Sequence, residues 1–183
     1  MKKAILLIID MINDGFNDWD PANRSALTSH INQLSEFFRK EGLPVVWVRQ
    51  EFAPDLNDAF LEMRKRNIQM YIKGTSGAEI LSELRRDPRD LEIVKKRYSA
   101  FFGTNLDETL AAHKPQFVVL AGINTHACIR TTAIDSYQRD LETILAVDCV
   151  QSYNSAWHAS SLEYLDSRVA TLKTNVELMK ILS

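Results

Sequence analysis

Three side chains of this sequence could share one reaction, because each follows or ends a short apolar run. Asp10 follows Ala4–Ile9, Lys95 closes the run 92–95, and Cys128 lies in AGINTHACIR, residues 121–130, just beyond the run 117–121. A carboxylate can take a thiol proton, an ammonium supports the thiolate so formed, and the thiolate attacks a carbonyl carbon. Each residue also has a plainer use. Free cysteine is among the most buried residue types and usually packs as a small apolar group. Asp10 can close a turn with Asn13, and Lys95 belongs to a Lys-Lys-Arg run that suits a solvated face. Strand alternation puts Ile93 and Lys95 on one face and Val94 and Lys96 on the other. A place near a helix start would lower the Cys128 thiol pKa from about 8.5 into a range of roughly 3.5–7.5, and a nearby Lys95 ammonium would act in the same direction.

The elements that must position these groups are written in the hydrophobic pattern. Strand-length apolar runs recur at 4–9, 43–48, 92–95, 117–121, 143–147 and 168–172. Leu27, Ile31, Leu34 and Phe38 repeat at helical spacing, and Gly42 supplies a stop. Ser76-Gly77-Ala78-Glu79 and Thr174-Asn175-Val176-Glu177 read as capping boxes. Helical stretches near 104–113, 127–139 and 155–166 fill the other gaps. Six strands with intervening helices predict a three-layer α/β/α fold around a six-stranded, mostly parallel sheet, since parallel neighbours need crossovers. Ligands of such sheets bind beyond the carboxyl ends of the strands. That rule gathers Asp10, Arg49, Gln50, Lys95, residues 122–128 and Asp148 at one edge. The long irregular piece, 49–75, is of a length that often carries function.

Composition narrows the partners. The 183 residues, 45% hydrophobic and 25% charged, suit one domain spanning 1–183. With 22 basic and 24 acidic residues the net charge is -2, which gives no field to hold nucleic acid or an anionic membrane. The apolar start is too short to export or to span a membrane. Cys128 and Cys149 make no disulfide framework and no metal or redox spacing, so a reducing, cytoplasmic setting is expected. Cys149 reads as core, and His30 and His113 as helix-surface residues. A small-molecule substrate and a homo-oligomer, dimer or tetramer, are the expected partners.

The motifs Asp10-Met11-Ile12-Asn13-Asp14, Lys95 before Arg97-Tyr98-Ser99-Ala100-Phe101-Phe102-Gly103-Thr104, and Gly122-Ile123-Asn124-Thr125-His126-Ala127-Cys128-Ile129-Arg130-Thr131-Thr132 resemble those of the isochorismatase-like cysteine hydrolases. The resemblance covers almost the whole chain and implies their Rossmann-like hydrolase fold. It also implies Asp10 as general base, Lys95 as the orienting cation and Cys128 as nucleophile. Lys95 is preferred to Lys96 because the family's lysine lies three positions before the tyrosine. Backbone N–H groups of Asn124 and Cys128 would form the oxyanion hole, with a cis peptide between Ile123 and Asn124. Phe16, Trp19, Tyr98, Phe101 and Ile129 are expected as pocket wall, and Arg49, Gln50, Asn124 and His126 as polar substrate contacts. Nicotinamidases of this family carry an Asp-x-His metal motif after the second strand. Here Val48-Arg49-Gln50-Glu51-Phe52 stands there and no histidine lies between 31 and 112, so neither metal nor cofactor is expected. The expected reaction is hydrolysis of a small amide, ureide or carbamoyl C–N bond through a thioester. The alternatives are vinyl ether cleavage of the isochorismatase type, a binding or scaffold member that has lost activity, and a peroxide-sensing thiol.

Overall fold

The computed structural model describes residues 3–183. Six strands, β1 (Ala4–Ile9), β2 (Val45–Gln50), β3 (Leu91–Lys95), β4 (Phe117–Ile123), β5 (Glu142–Gln151) and β6 (Thr171–Lys173), form one sheet in the order β3-β2-β1-β4-β5-β6. Every pairing is parallel. Among the described residues six α-helices accompany it: α1 (Pro21–Lys40), α2 (Leu61–Arg66), α3 (Leu106–His113), α4 (Arg130–Tyr137), α5 (Ser155–Arg168) and α6 (Asn175–Leu182). Among the described residues no helix is long and apolar enough to cross a membrane.

Burial on both faces explains why β1 is apolar without alternation. Its Ala4, Leu6 and Ile8 pack with Leu27, Ile31, Leu34 and Phe38 of α1, while Ile5, Leu7 and Ile9 join Leu106, Leu110, Ala133 and Leu165 on the opposite face. Local signals set the ends of α1. Pro21 occupies its first turn, Asp20 accepts the N–H groups of Ala22 and Asn23, and Gly42 takes a left-handed φ of +68° just beyond.

Several boundaries differ from the sequence reading. Strand β2 lies two residues later than 43–48, because Leu43 and Pro44 serve as its entry. Helix α5 continues through Arg168, which pushes the start of β6 from 168 to Thr171. The 174–177 capping box is present, with Thr174 and Glu177 bonding reciprocally at the start of α6. At 76–79 there is only a short 3-10 turn, Ser76–Ala78, without a side-chain cap. That backbone is used for docking instead: Asn13 Nδ2 donates to Ser76 O at 2.7 Å, and Gly77 lies so close to Asp14 that a Cβ there would meet its carboxylate. The segment 49–75 is less irregular than its sequence suggests. It holds α2, a parallel bridge between Phe52 and Ile72, and a small core of its own around Phe52, Leu56, Ala59, Met63 and Ile72.

Gly122 marks the place where β4 turns toward the site. Its φ is +112°, and a Cβ would stand 2.0 Å from Ile9 O on the neighbouring strand. Gly122→Ala should therefore cost about 3 kcal/mol or more, since neither backbone can yield without breaking the β1–β4 ladder. Urea denaturation measures this directly, and a midpoint equal to that of the unchanged chain would contradict it.

Candidate active site

The carboxyl ends of β1, β3 and β4 converge on one cluster. Asp10 adopts a left-handed φ of +54°, which breaks the strand pattern of β1 and turns its carboxylate toward β2 and β3. Its Oδ1 accepts the Gln50 N–H at 2.9 Å, and its Oδ2 stands 2.7 Å from Lys95 Nζ. Asn13 is not its turn partner, being engaged with Ser76. Lys95, on the Ile93 face of β3, is 0% exposed. Its ammonium donates to Cys128 Sγ at 3.3 Å, Gln50 Oε1 at 3.3 Å and Arg97 O at 3.2 Å. Lys96 points the other way, pairing with Asp58 at 2.9 Å and donating to Glu51 O. The two lysines are thus divided by strand alternation, one into the buried cluster and one onto the 49–75 segment.

Cys128 sits in a π-helical turn, Thr125–Ile129, that leads into α4, and it is 6% exposed. Burial pushes its thiol well above the ordinary range; the Asp10 carboxylate adds to that, and the Lys95 ammonium opposes it. This runs against the expectation of a lowered thiol pKa: burial and the Asp10 carboxylate together outweigh the Lys95 ammonium. For Lys95, burial works against the charge, but the Asp10 carboxylate and the Cys128 sulfur raise its pKa above the usual lysine value. The thiol, the ammonium and the carboxylate thus form one coupled, buried cluster.

Of the remaining expected residues, some surround this cluster and others do not. The Ile123–Asn124 peptide is cis, and the Asn124 side chain accepts the Tyr153 N–H at 3.4 Å. His126 Nδ1 lies 3.0 Å from Ser152 Oγ, and its ring packs against Tyr153 and Trp157; burial lowers its pKa, which favours the neutral ring. Tyr98 is half exposed and stacks on Phe60 with centroids 4.9 Å apart. Ile129 is core beneath Cys128. Phe101 is buried in the same apolar cluster as Cys128, with the Arg139 guanidinium over its ring. Phe16 and Trp19 stack on each other in the α1-side core, across the sheet from Cys128. Arg49 shares the Trp47 face of β2 and is held by Glu51 and Glu92 at 2.6 and 2.7 Å, so it does not reach the cluster.

Sequence reasoning missed Tyr71 and Phe60. Tyr71 has a left-handed φ of +59°, its N–H is fixed by Asp14 at 2.7 Å, and its hydroxyl lies against Gly15 beside the Asp10 backbone. Burial raises its pKa well above the tyrosine range, with the nearby Asp10 adding to the effect. Only the length of the 49–75 segment hinted at such a wall.

Among the described residues no three His, Cys, Asp or Glu side chains are grouped so as to hold a metal ion. The cluster's own donors, one carboxylate beside an ammonium and a thiol, form a poor cation site because the ammonium occupies the anion's partner position.

Comparison with known proteins agrees with this architecture. The chain is 30% identical over 182 residues to a protein named a probable inactive nicotinamidase in Arabidopsis thaliana, covering 94% of this chain and 92% of that protein. A ureidoacrylate amidohydrolase of Methylorubrum extorquens is 29% identical, over 79% of this chain and 68% of its own. The structure of an N-carbamoylsarcosine amidase from Thermoplasma acidophilum shares 31% identity and superposes with a TM-score of 0.82, covering 94% of this chain and 96% of that one. The Isochorismatase domain model matches residues 4–176, and the chain belongs to that family of hydrolases.

Proposed function

We propose that the chain hydrolyses a C–N bond of a small amide, ureide or carbamoyl compound through a thioester on Cys128, with no metal. The observation that carries this reading is one buried ammonium, Lys95, in contact with both the Asp10 carboxylate and the Cys128 sulfur. Two similar proteins, the amidase and the amidohydrolase, are named for C–N hydrolysis. Asp10 takes the thiol proton as sulfur attacks the carbonyl carbon. The oxyanion is held by the backbone N–H groups of Asn124 and Cys128. Collapse breaks the C–N bond, and the amine leaves with the proton from Asp10. Water then gives its proton to Asp10 and bonds the thioester carbon; the C–S bond breaks and sulfur recovers the proton. Lys95 remains charged throughout and steadies each anion in turn.

A screen of small amides, ureides and carbamates for ammonia or amine release tests the proposal, run with and without a chelator. Release that survives chelation is expected. Vinyl ether cleavage without any amine release would favour the isochorismatase alternative, and no turnover on any of these compounds would favour an inactive binding member. We also propose a homo-oligomer, dimer or tetramer, in the cytoplasm; light scattering reads the first.

The peroxide-sensing alternative requires an accessible thiolate. Cys128 is nearly buried and its thiol pKa is raised, while Cys149 packs on the opposite side of the sheet, donating to Asn175 Oδ1 with its own pKa pushed up to about 12 by burial. Iodoacetamide should therefore label Cys128 at pH 7 more slowly than an unhindered cysteine, with the rate rising as pH climbs beyond the ordinary thiol range. Rapid labelling at pH 6–7 would overturn this.

A further inference from the structure

Gln50 ends β2 on the same face as Val48, opposite Lys95 in the parallel register, and is 4% exposed. Two of its groups are committed. Its N–H donates to Asp10 Oδ1 at 2.9 Å, and its Oε1 accepts from Lys95 Nζ at 3.3 Å. An ammonium has only donors, so the carboxamide must present its oxygen to Lys95. That choice sends Nε2 elsewhere. Nε2 is buried and has no hydrogen-bond partner among the described residues. Buried donors in native proteins are almost always satisfied by protein, ligand or ordered water, because an unpaired one loses its hydration without return.

The Gln50 backbone is tied to Asp10 and its carboxamide oxygen to Lys95, so the unpartnered donor of that carboxamide stands beside the acid–base pair. A molecule that suits such a place accepts one hydrogen bond and donates another. Water does both, and it needs two or more polar partners when buried. Resting on the thioester reading above, we propose that Gln50 is a catalytic residue of the deacylation half-reaction: its Nε2 donates to the hydrolytic water and holds that water against Asp10. One lone pair of the water oxygen receives the Nε2 hydrogen and the other bonds the thioester carbon. A water hydrogen passes to the Asp10 carboxylate, the C–S bond breaks, and sulfur takes the proton back from Asp10. No oxidant or further reactant is required.

The test uses 4-nitrophenyl acetate, which releases coloured 4-nitrophenolate when it acylates Cys128. Gln50→Met removes the amide at similar length. Gln50→Leu likewise removes the donor without adding a charge, and it serves if the first variant does not fold. In both, steady-state kcat should fall about 10- to 100-fold further than the burst rate, which also registers the lost Lys95 contact. KM should fall with kcat, so that kcat/KM drops far less than kcat, and acetylated Cys128 should accumulate by mass spectrometry. A burst slowed as much as the steady state would overturn the proposal and make Gln50 a positioning residue for Lys95. A raised KM without accumulated acyl-enzyme would also overturn it, assigning Nε2 to the substrate. Failure of the thioester reading is separate: the wild-type chain would show no acetylation of Cys128, or turnover would persist in Cys128→Ala.

Discussion

Cys128→Ala should lose hydrolysis by about 10,000-fold or more while the protein stays folded, since removal of a covalent nucleophile leaves only binding and oxyanion contacts. The side chain lost is small, and the 2.7 Å contact between Asp10 and Lys95 does not pass through it. Stability should therefore change by about 1 kcal/mol or less. The measurement is amine release on the best compound of the screen, beside a thermal melt of the same preparation. Retained turnover would sink the covalent mechanism, and a large loss of Tm would mean that the sulfur holds the cluster together rather than reacting within it.

The second large effect separates two adjacent lysines. Lys95→Met removes a fully buried cation and leaves the Asp10 carboxylate, itself nearly buried, without its partner. Breaking a buried pair from one side costs about 3–5 kcal/mol, which for a chain of this size is a fall in Tm of roughly 6–20 °C. Turnover should disappear as well, because nothing then opposes the rise of the Cys128 thiol pKa that burial and Asp10 impose. Lys96→Met breaks a part-exposed pair with Asp58 and should cost about 1 kcal/mol or less. Thermal melts of both variants and the pH profile of Cys128 alkylation decide the matter. Equal losses in the two variants would overturn this division of roles.

Much of this arrangement was legible because strand alternation is a strict rule. The positions of Lys95 and Lys96 on opposite faces follow from period two alone. The apolar runs located β1 to the residue, since it is buried on both faces and ends at a charge. Other features depend on contacts that no local pattern encodes. Arg49 stands at a strand end like Gln50, but one residue of register turns it to Glu51 and Glu92 across the sheet. Phe16 and Trp19 follow Asp10 closely in sequence, yet the left-handed turn at Asp10 carries the chain back over α1. Tyr71 reaches the cluster through a loop whose path depends on the Asp14 contact and on its own small core. The direction of the Cys128 shift was missed for a related reason: a helix start can be read from sequence, but the depth of burial around it cannot.

A ribosome delivers β1 long before its second neighbour. Residues 4–9 can pair with β2 once Val45–Gln50 has emerged, but the other flank of β1 belongs to β4, which begins only at Phe117. During that interval Ala-Ile-Leu-Leu-Ile-Ile is an uncharged, proline-free edge, the kind of segment that recruits strands from other chains. Parallel crossovers close slowly, which lengthens the exposure. The charges that bracket the run, Lys3 before it and Asp10 after it, oppose such stacking as gatekeepers.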